Sequence, residues 1–288
     1  MTNILSIIQK IHVHPLLWVV VAIAVATAHF IEISLLLFII FIHELGHAVA
    51  ASFFSWRLKK ISFLPFGGVA EMDEHGNRPL KEEAIVTLAG PIQHIWLIGG
   101  AFLLFELGLM SEYIFTVFFQ YNLMILIFNL LPIWPLDGGK FIFLWLSLKE
   151  SFPKAFKQTL NISIAAVSLF AIIILLTEPV NLNVWIVIAF IIFTLHYEWK
   201  QSRYVFIRFL MERYYGKTNE FRELKPLVVA PDDLVIHVLE RFQRGCKHPI
   251  IIEKDGKEAG ILDENELLHA YFAEKQLSAK VGELLYDY

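Results

Sequence analysis

Six long apolar runs fill most of the chain's first 199 residues, near 14–30, 33–55, 83–106, 113–131, 159–177 and 181–197. Each approaches the roughly 20 residues, within a range of about 17–25, that a helix needs to cross a bilayer's hydrocarbon core. Inside lipid no water satisfies the backbone N–H and C=O groups, so only helices or closed barrels can span it. Composition agrees, with 57% hydrophobic and 18% charged residues against about 45–50% and about 25% in an ordinary soluble domain. The expected fold is a polytopic α-helical membrane protein of about six transmembrane helices, with a small α/β domain after them. A shorter apolar piece at 141–148 reads as the fourth run resumed after a break.

The expected organisation is a membrane domain over 1–199, an amphipathic linker over 200–225 and a cytoplasmic regulatory domain over 226–288. The opening MTNILSIIQKIHVHPLL lacks the basic start and small-residue cleavage site of a removed signal, so retention in the membrane is expected. A net charge of −4 and the lack of a basic stripe argue against a nucleic-acid partner. Cys246 is the only cysteine, which excludes an intrachain disulfide and fits a reducing compartment.

Charge gives an orientation. The connection over 56–82 carries Arg57, Lys59, Lys60, Arg78 and Lys81, and that over 137–158 carries Lys140, Lys149, Lys154 and Lys157. Lys200, Arg203, Arg208 and Arg213 follow the last run, whereas the connections near 30–33, 107–112 and 178–181 have neither Lys nor Arg. Basic residues stay on the cytoplasmic side, so both termini are expected there.

The second run contains H-E-x-x-H as His43-Glu44-Leu45-Gly46-His47. Two His four residues apart share a helix face and can converge on one zinc ion, while the Glu can take a proton from water that the metal activates. That is the chemistry of peptide hydrolysis. Ionisable residues within a membrane helix are costly and tend to mark a site. Zinc needs a third protein ligand, and the run from Asn129 to Gly139 (NLLPIWPLDGG) offers Asp137 at a Pro- and Gly-rich break. Irregular backbone at membrane depth survives only where protein buries it or a watery cavity borders it. The alternative is a cytoplasmic Pro-Gly turn with a solvated Asp. Asn129 and Pro135 of the same run are candidates for substrate or oxyanion binding. His94, deep in the third run, either lines the cavity or is a packed, hydrogen-bonded core residue.

In Ile61-Ser62-Phe63-Leu64-Pro65-Phe66-Gly67-Gly68-Val69-Ala70-Glu71, apolar residues flank a Gly-Gly turn. This reads either as a hairpin dipping into the membrane or as a surface loop. A hairpin would offer a strand edge to an unwound substrate, with Phe66 and Gly67 as further candidate substrate-binding residues. The stretch over 200–225 is either an amphipathic helix on the lipid surface or a packed core helix.

HELGH, FLPFGGVAEMDEHGNRP, LAGPIQH and NLLPIWPLDGG, in this order, resemble the site-2 protease family of intramembrane metalloproteases, and its sporulation branch in particular. The resemblance implies one zinc per chain, ligated by His43, His47 and Asp137, with Glu44 as general base and acid. It implies a membrane-associated proprotein as substrate, in this branch the pro-form of a mother-cell sigma factor. Small membrane inhibitor proteins are implied as partners, with regulated intramembrane proteolysis in the mother-cell membrane around the forespore as the setting. The chain departs from the family pattern in one place: many relatives have Gly-Pro-x-x-Asn, and here Gly90-Pro91-Ile92-Gln93-His94 puts His last.

From Pro226 the pattern reads strand, helix, two strands, helix, with a hairpin turn at Lys254-Asp255-Gly256-Lys257. This order resembles a CBS domain. That resemblance implies an adenine nucleotide such as ATP, contacted by Asp263 and Glu266, and pairing of two copies in a homo-oligomer. Two other readings stand beside the protease: a prenyl-protein-type membrane metalloprotease with a Glu or His as third ligand, and a CBS-regulated zinc or ion transporter.

Overall fold

The structure is a computed structural model that describes residues 10–64, 67–72, 78–216, 223–276 and 278–285. Helices occupy all six apolar stretches: α1 (Pro15–Ala26), α2 (Phe30–Phe53), α3 (Leu80–Glu106), α4 (Glu112–Asn129), α6 (Phe152–Thr177) and α7 (Leu182–Tyr215), with the shorter α5 (Asp137–Ser147) between α4 and α6. Among the described residues four helices, α2, α3, α6 and α7, are long and apolar enough to cross a membrane. The helix α1 has only 12 residues. The 18 residues of α4 include Gln120, Asn122 and Asn129, which dilute its apolar character. One of these, Asn122, is fully buried, so α4 gives up apolar character to place a polar group inside the protein.

The chain divides into two compact units, one over 1–74, 81–141 and 163–192, the other over 75–80, 142–162 and 193–288. In the first unit a small sheet precedes and follows α1 and α2. Strand β1 (Ile11–Val13) runs parallel to β2 (Leu58–Leu64), and β2 forms an antiparallel hairpin with β3 (Gly67–Met72). The expected hairpin is therefore present. Its register pairs Leu64 with Gly67, and Pro65 and Phe66 lie outside the described residues. The strand order β1-β2-β3 leaves β3 with an unpaired edge among the described strands.

The helix α2 is the axis of this unit. One flank buries Ala48 with Leu17 of α1 and Leu58 and Ile61 of β2. Another buries Ile39 with Ala101 of α3 and Phe118 of α4. The α2–α3 approach is close: a Cβ on Gly46 would meet the Ala89 carbonyl oxygen at 2.5 Å. Every residue of α2 between these flanks is thereby fixed in rotation, including the His-Glu-x-x-His turn.

Aromatic packing and the buried Arg213–Glu264 ion pair hold the second unit. Residues 200–215 continue α7 without a break and bury Phe206, Phe209 and Leu210. The Phe152 ring stacks on Phe209 at 4.2 Å, and the Phe152 N–H donates to the Phe242 carbonyl at 2.9 Å. The rest is β4 (Glu223–Leu224), β5 (Leu227–Val229), α8 (Val235–Leu239), β6 (Cys246–Lys247), β7 (Ile250–Lys254), β8 (Lys257–Leu262), α9 (Glu264–Phe272) and a final 3-10 turn over Val281–Leu285. Strand β7 pairs parallel with β5 and antiparallel with β8. The β7–β8 turn has Asp255 at φ 51° and Gly256 at φ 73°, the two left-handed positions of a type I′ hairpin. After Pro226 the order is β5, α8, β6, β7, β8 and α9, which is the expected strand, helix, two strands and helix with the two-residue strand β6 added before β7.

Candidate metal and peptidase site

His43, Glu44 and His47 lie on one buried turn of α2, and Asp137 begins α5. The break before α5 lets a carboxylate enter at a helix start, where the first-turn N–H groups favour negative charge. Gly138 and Gly139 permit the tight return: a Cβ on Gly138 would sit 2.3 Å from the Leu130 carbonyl oxygen.

Three atoms converge. Asp137 Oδ2 is 3.3 Å from His43 Nε2 and 3.2 Å from His47 Nε2, and the two Nε2 atoms are 3.2 Å apart. Asp137 Oδ1 accepts from Lys140 Nζ at 3.0 Å, whereas buried Oδ2 has no hydrogen-bond partner among the described residues. His47 Nδ1 faces the Val86 carbonyl at 2.8 Å. A carbonyl only accepts, so in the neutral ring Nδ1 carries the proton and Nε2 presents its lone pair. A carboxylate oxygen and an imidazole lone pair turned on one another repel, and leaving such groups buried and unpaired is costly. A cation resolves this. Ligand atoms held tetrahedrally at zinc distances lie about 3.3 Å apart, which is the size of this triangle. The donor set and its geometry fit zinc.

Glu44 is buried on the same turn of α2 as the two His. Strand β3 passes directly over it: a Cβ on Gly68 would lie 2.4 Å from Glu44 Cγ. A second glycine guards the other side, since a Cβ on Gly90 of α3 would meet His47 Nε2 at 2.2 Å. The sequence shows Gly68 only as half of a Gly-Gly turn and Gly90 only as the head of Gly-Pro-x-x-His; what each one touches appears only in the approach between two elements. His94 is fully buried, with Nε2 at 3.1 Å from His43 Nδ1.

Peptidase family M50 matches residues 31–111 and 106–172, which include all of these groups. Over 288 residues, covering the whole of both chains, the protein is 49% identical to Stage IV sporulation protein FB of Bacillus subtilis (strain 168). The chain belongs to peptidase family M50. It is also 27% identical to a zinc metalloprotease of Methanocaldococcus jannaschii over 90% of this chain and 76% of the relative. The solved site-2 protease of that organism matches with a TM-score of 0.53 at 28% identity, covering 65% of this chain and 89% of the other. This M50 protein is an integral membrane zinc metalloprotease of the site-2 type. These likenesses do not favour the transporter reading.

The remaining candidate residues of this M50 chain are dispersed. Asn129 ends α4 and donates from Nδ2 to the Ile125 carbonyl at 3.1 Å. Pro135 lies in the half-buried turn before Asp137. Gly67 opens β3, and Phe66 is outside the described residues. Asp263 and Glu266 form a capping box at the start of α9, and Asp263 also pairs with Lys247 at 2.6 Å. Lys247 and the N-cap contact hold the Asp263 carboxyl below its usual pKa against the opposing effect of burial.

Proposed function

We propose that His43, His47 and Asp137 hold the catalytic zinc, that Glu44 moves the proton, and that the substrate is a membrane-tethered proprotein. The observation that carries this reading is the buried triangle of Asp137 Oδ2 and the two Nε2 atoms, in which Oδ2 has no hydrogen-bond partner among the described residues. Bound zinc supplies Lewis acidity. Glu44, buried on the same helix turn as the two His, would take a proton from the water that attacks the peptide carbonyl and return it to the departing amine. Lys140 neutralises Asp137 Oδ1 and steadies its orientation.

A peptide bond within a helix is closed to attack, so a spanning substrate is unwound first. Strand β3 supports this: its edge is unpaired among the described strands, and it crosses Glu44 at Gly68 with no side chain between. A substrate strand added there by main-chain hydrogen bonds runs past the Glu44 carboxylate. On this reading the hairpin dips into the membrane, Asn129, Pro135, Phe66 and Gly67 border the substrate, and α1 and α4 complete six spans with both termini cytoplasmic. The likeness to a sporulation protein supports a pro-sigma factor as substrate, small membrane inhibitors as partners and the mother-cell membrane around the forespore as the place. The strand order after Pro226 supports a CBS-like regulatory domain that takes an adenine nucleotide near Asp263 and Glu266 and pairs with a second copy.

The test is co-expression with a tethered pro-sigma substrate. Glu44→Gln abolishes cleavage while the purified chain keeps one zinc, and Asp137→Ala loses both. Cleavage at the wild-type rate by Glu44→Gln would refute the assignment.

A further inference from the structure

We infer that His94 is a positioning residue that fixes which nitrogen of His43 faces the metal, and that Asn122 in turn fixes His94; this rests on the zinc reading of His43, His47 and Asp137. The protons can be placed from the far end of a chain that crosses α4, α3 and α2. Asn122 Nδ2 donates to the Phe118 carbonyl at 2.8 Å. A carbonyl cannot donate, so the amide nitrogen faces Phe118 and Oδ1 faces His94. Oδ1 accepts only, so His94 Nδ1, 3.0 Å away, carries the proton. A neutral imidazole has one N–H, which leaves His94 Nε2 bare. It stands 3.1 Å from His43 Nδ1, which therefore donates. His43 Nε2 is left with its lone pair towards Asp137 Oδ2 and His47 Nε2.

The opposite assignment fails at the metal. An N–H on His94 Nε2 would require His43 Nδ1 to accept, which would put the His43 proton on Nε2, where it blocks ligation. His43 and His47 thus solve one problem in two ways. His47 is anchored by main chain, through Val86, and needs no particular side chain. His43 depends on a side chain in α3, which depends on another in α4. All three are buried, with His94 and Asn122 fully so, and water cannot substitute freely.

The departure from Gly-Pro-x-x-Asn follows the same logic. An Asn can turn its own Oδ1 to accept. An imidazole at that place needs an outside group to decide which nitrogen is bare, and Asn122 is that group.

The test uses the full chain purified in detergent, with zinc affinity read by competition against a chelator. His94→Leu removes the acceptor at similar bulk and is expected to weaken zinc binding about 10–100-fold, the range for lost partners of metal-bound His. His94→Gln offers Oε1 to His43 and an amide N–H to Asn122, and is expected to bind zinc close to wild type. Asn122→Leu weakens zinc in the wild-type background but adds nothing to His94→Leu, since the two act through one chain. Wild-type affinity in His94→Leu overturns the inference, and so does a His94→Gln variant as weak as His94→Leu, which would mark a packing role. A wild-type chain that takes up no zinc would instead overturn the metal assignment itself, and the role of His94 with it.

Discussion

A Cβ on Gly90 would stand 2.2 Å from His47 Nε2 and 2.8 Å from His43 Cε1, inside contact distance of both imidazoles. Gly99 and Gly100, further along the same helix, have nothing within 4 Å of a Cβ. The contrast makes a controlled experiment. Gly90→Ala forces α3 away from α2 or rotates a ligand, and is expected to lower zinc affinity and cleavage at least about tenfold, as a misplacement near 1 Å does at a catalytic centre. Gly99→Ala leaves cleavage unchanged and stabilises the helix by about 0.5–1 kcal/mol. Substrate cleavage and chelator competition on the same preparations check both. Gly90 also marks the limit of what the sequence discloses. His43, Glu44 and His47 are legible there because their spacing is local, one helical turn. Asp137 is legible because a carboxylate beside Pro and Gly interrupts an apolar run. Gly90 and His94 share a Gly-Pro-x-x-His pattern and Gly68 sits in a Gly-Gly turn, but what they touch lies on elements far away in the chain, and Asn122 has no local pattern at all.

At the level of elements, the apolar runs placed the helices well, and what they missed comes from polar residues with inward duties. In α4, Asn122 looks like a weakness in a span until its bond to His94 is seen. In α7, the mix of Arg and aromatic residues over 200–215 fits a lipid-surface helix or a core helix equally well by periodicity. Packing decides it: Phe206, Phe209 and Leu210 are buried, and so is Arg213. The Arg213 guanidinium binds Glu264 through Nε at 3.2 Å and Nη2 at 2.8 Å, and the Gln243 carbonyl through Nη1 at 3.0 Å, with a further bond from Nη2 to the Cys246 carbonyl. Glu264 Oε2 also accepts the His248 N–H at 2.8 Å. Removing one partner leaves a buried charge uncompensated, which costs about 3–5 kcal/mol. Arg213→Ala is therefore expected to make residues 223–285 sensitive to limited proteolysis in the full chain at temperatures where wild type resists. Arg213→Lys is expected to rescue little, because one ammonium cannot reproduce the planar fork. Resistance of Arg213→Ala equal to wild type would show that the aromatic stack alone holds this unit.

For the whole molecule the open question is which face of the membrane the chemistry serves. His43 and His47 fall in the C-terminal half of the 24-residue α2, towards Arg57, Lys59 and Lys60, and Asp137 begins α5 three residues before Lys140. All three proposed ligands therefore lie towards basic ends of their segments. If basic connections stay cytoplasmic, the metal lies in the cytoplasmic half of the membrane, and a substrate is cut where its tether leaves the lipid on that side. The turn between α6 and α7 is the opposite kind of connection, without Lys or Arg and with Val180 fully open to its surroundings. Single cysteines discriminate the two orientations, since Cys246 is buried. In intact cells a membrane-impermeant maleimide is expected to label Val180→Cys and to leave Lys149→Cys and Lys200→Cys unlabelled until the membrane is opened. The reverse pattern would invert the molecule. It would move the zinc to the far half of the bilayer, out of reach of a cytoplasmic proprotein, and the proposed substrate would have to be abandoned even with the metal chemistry intact.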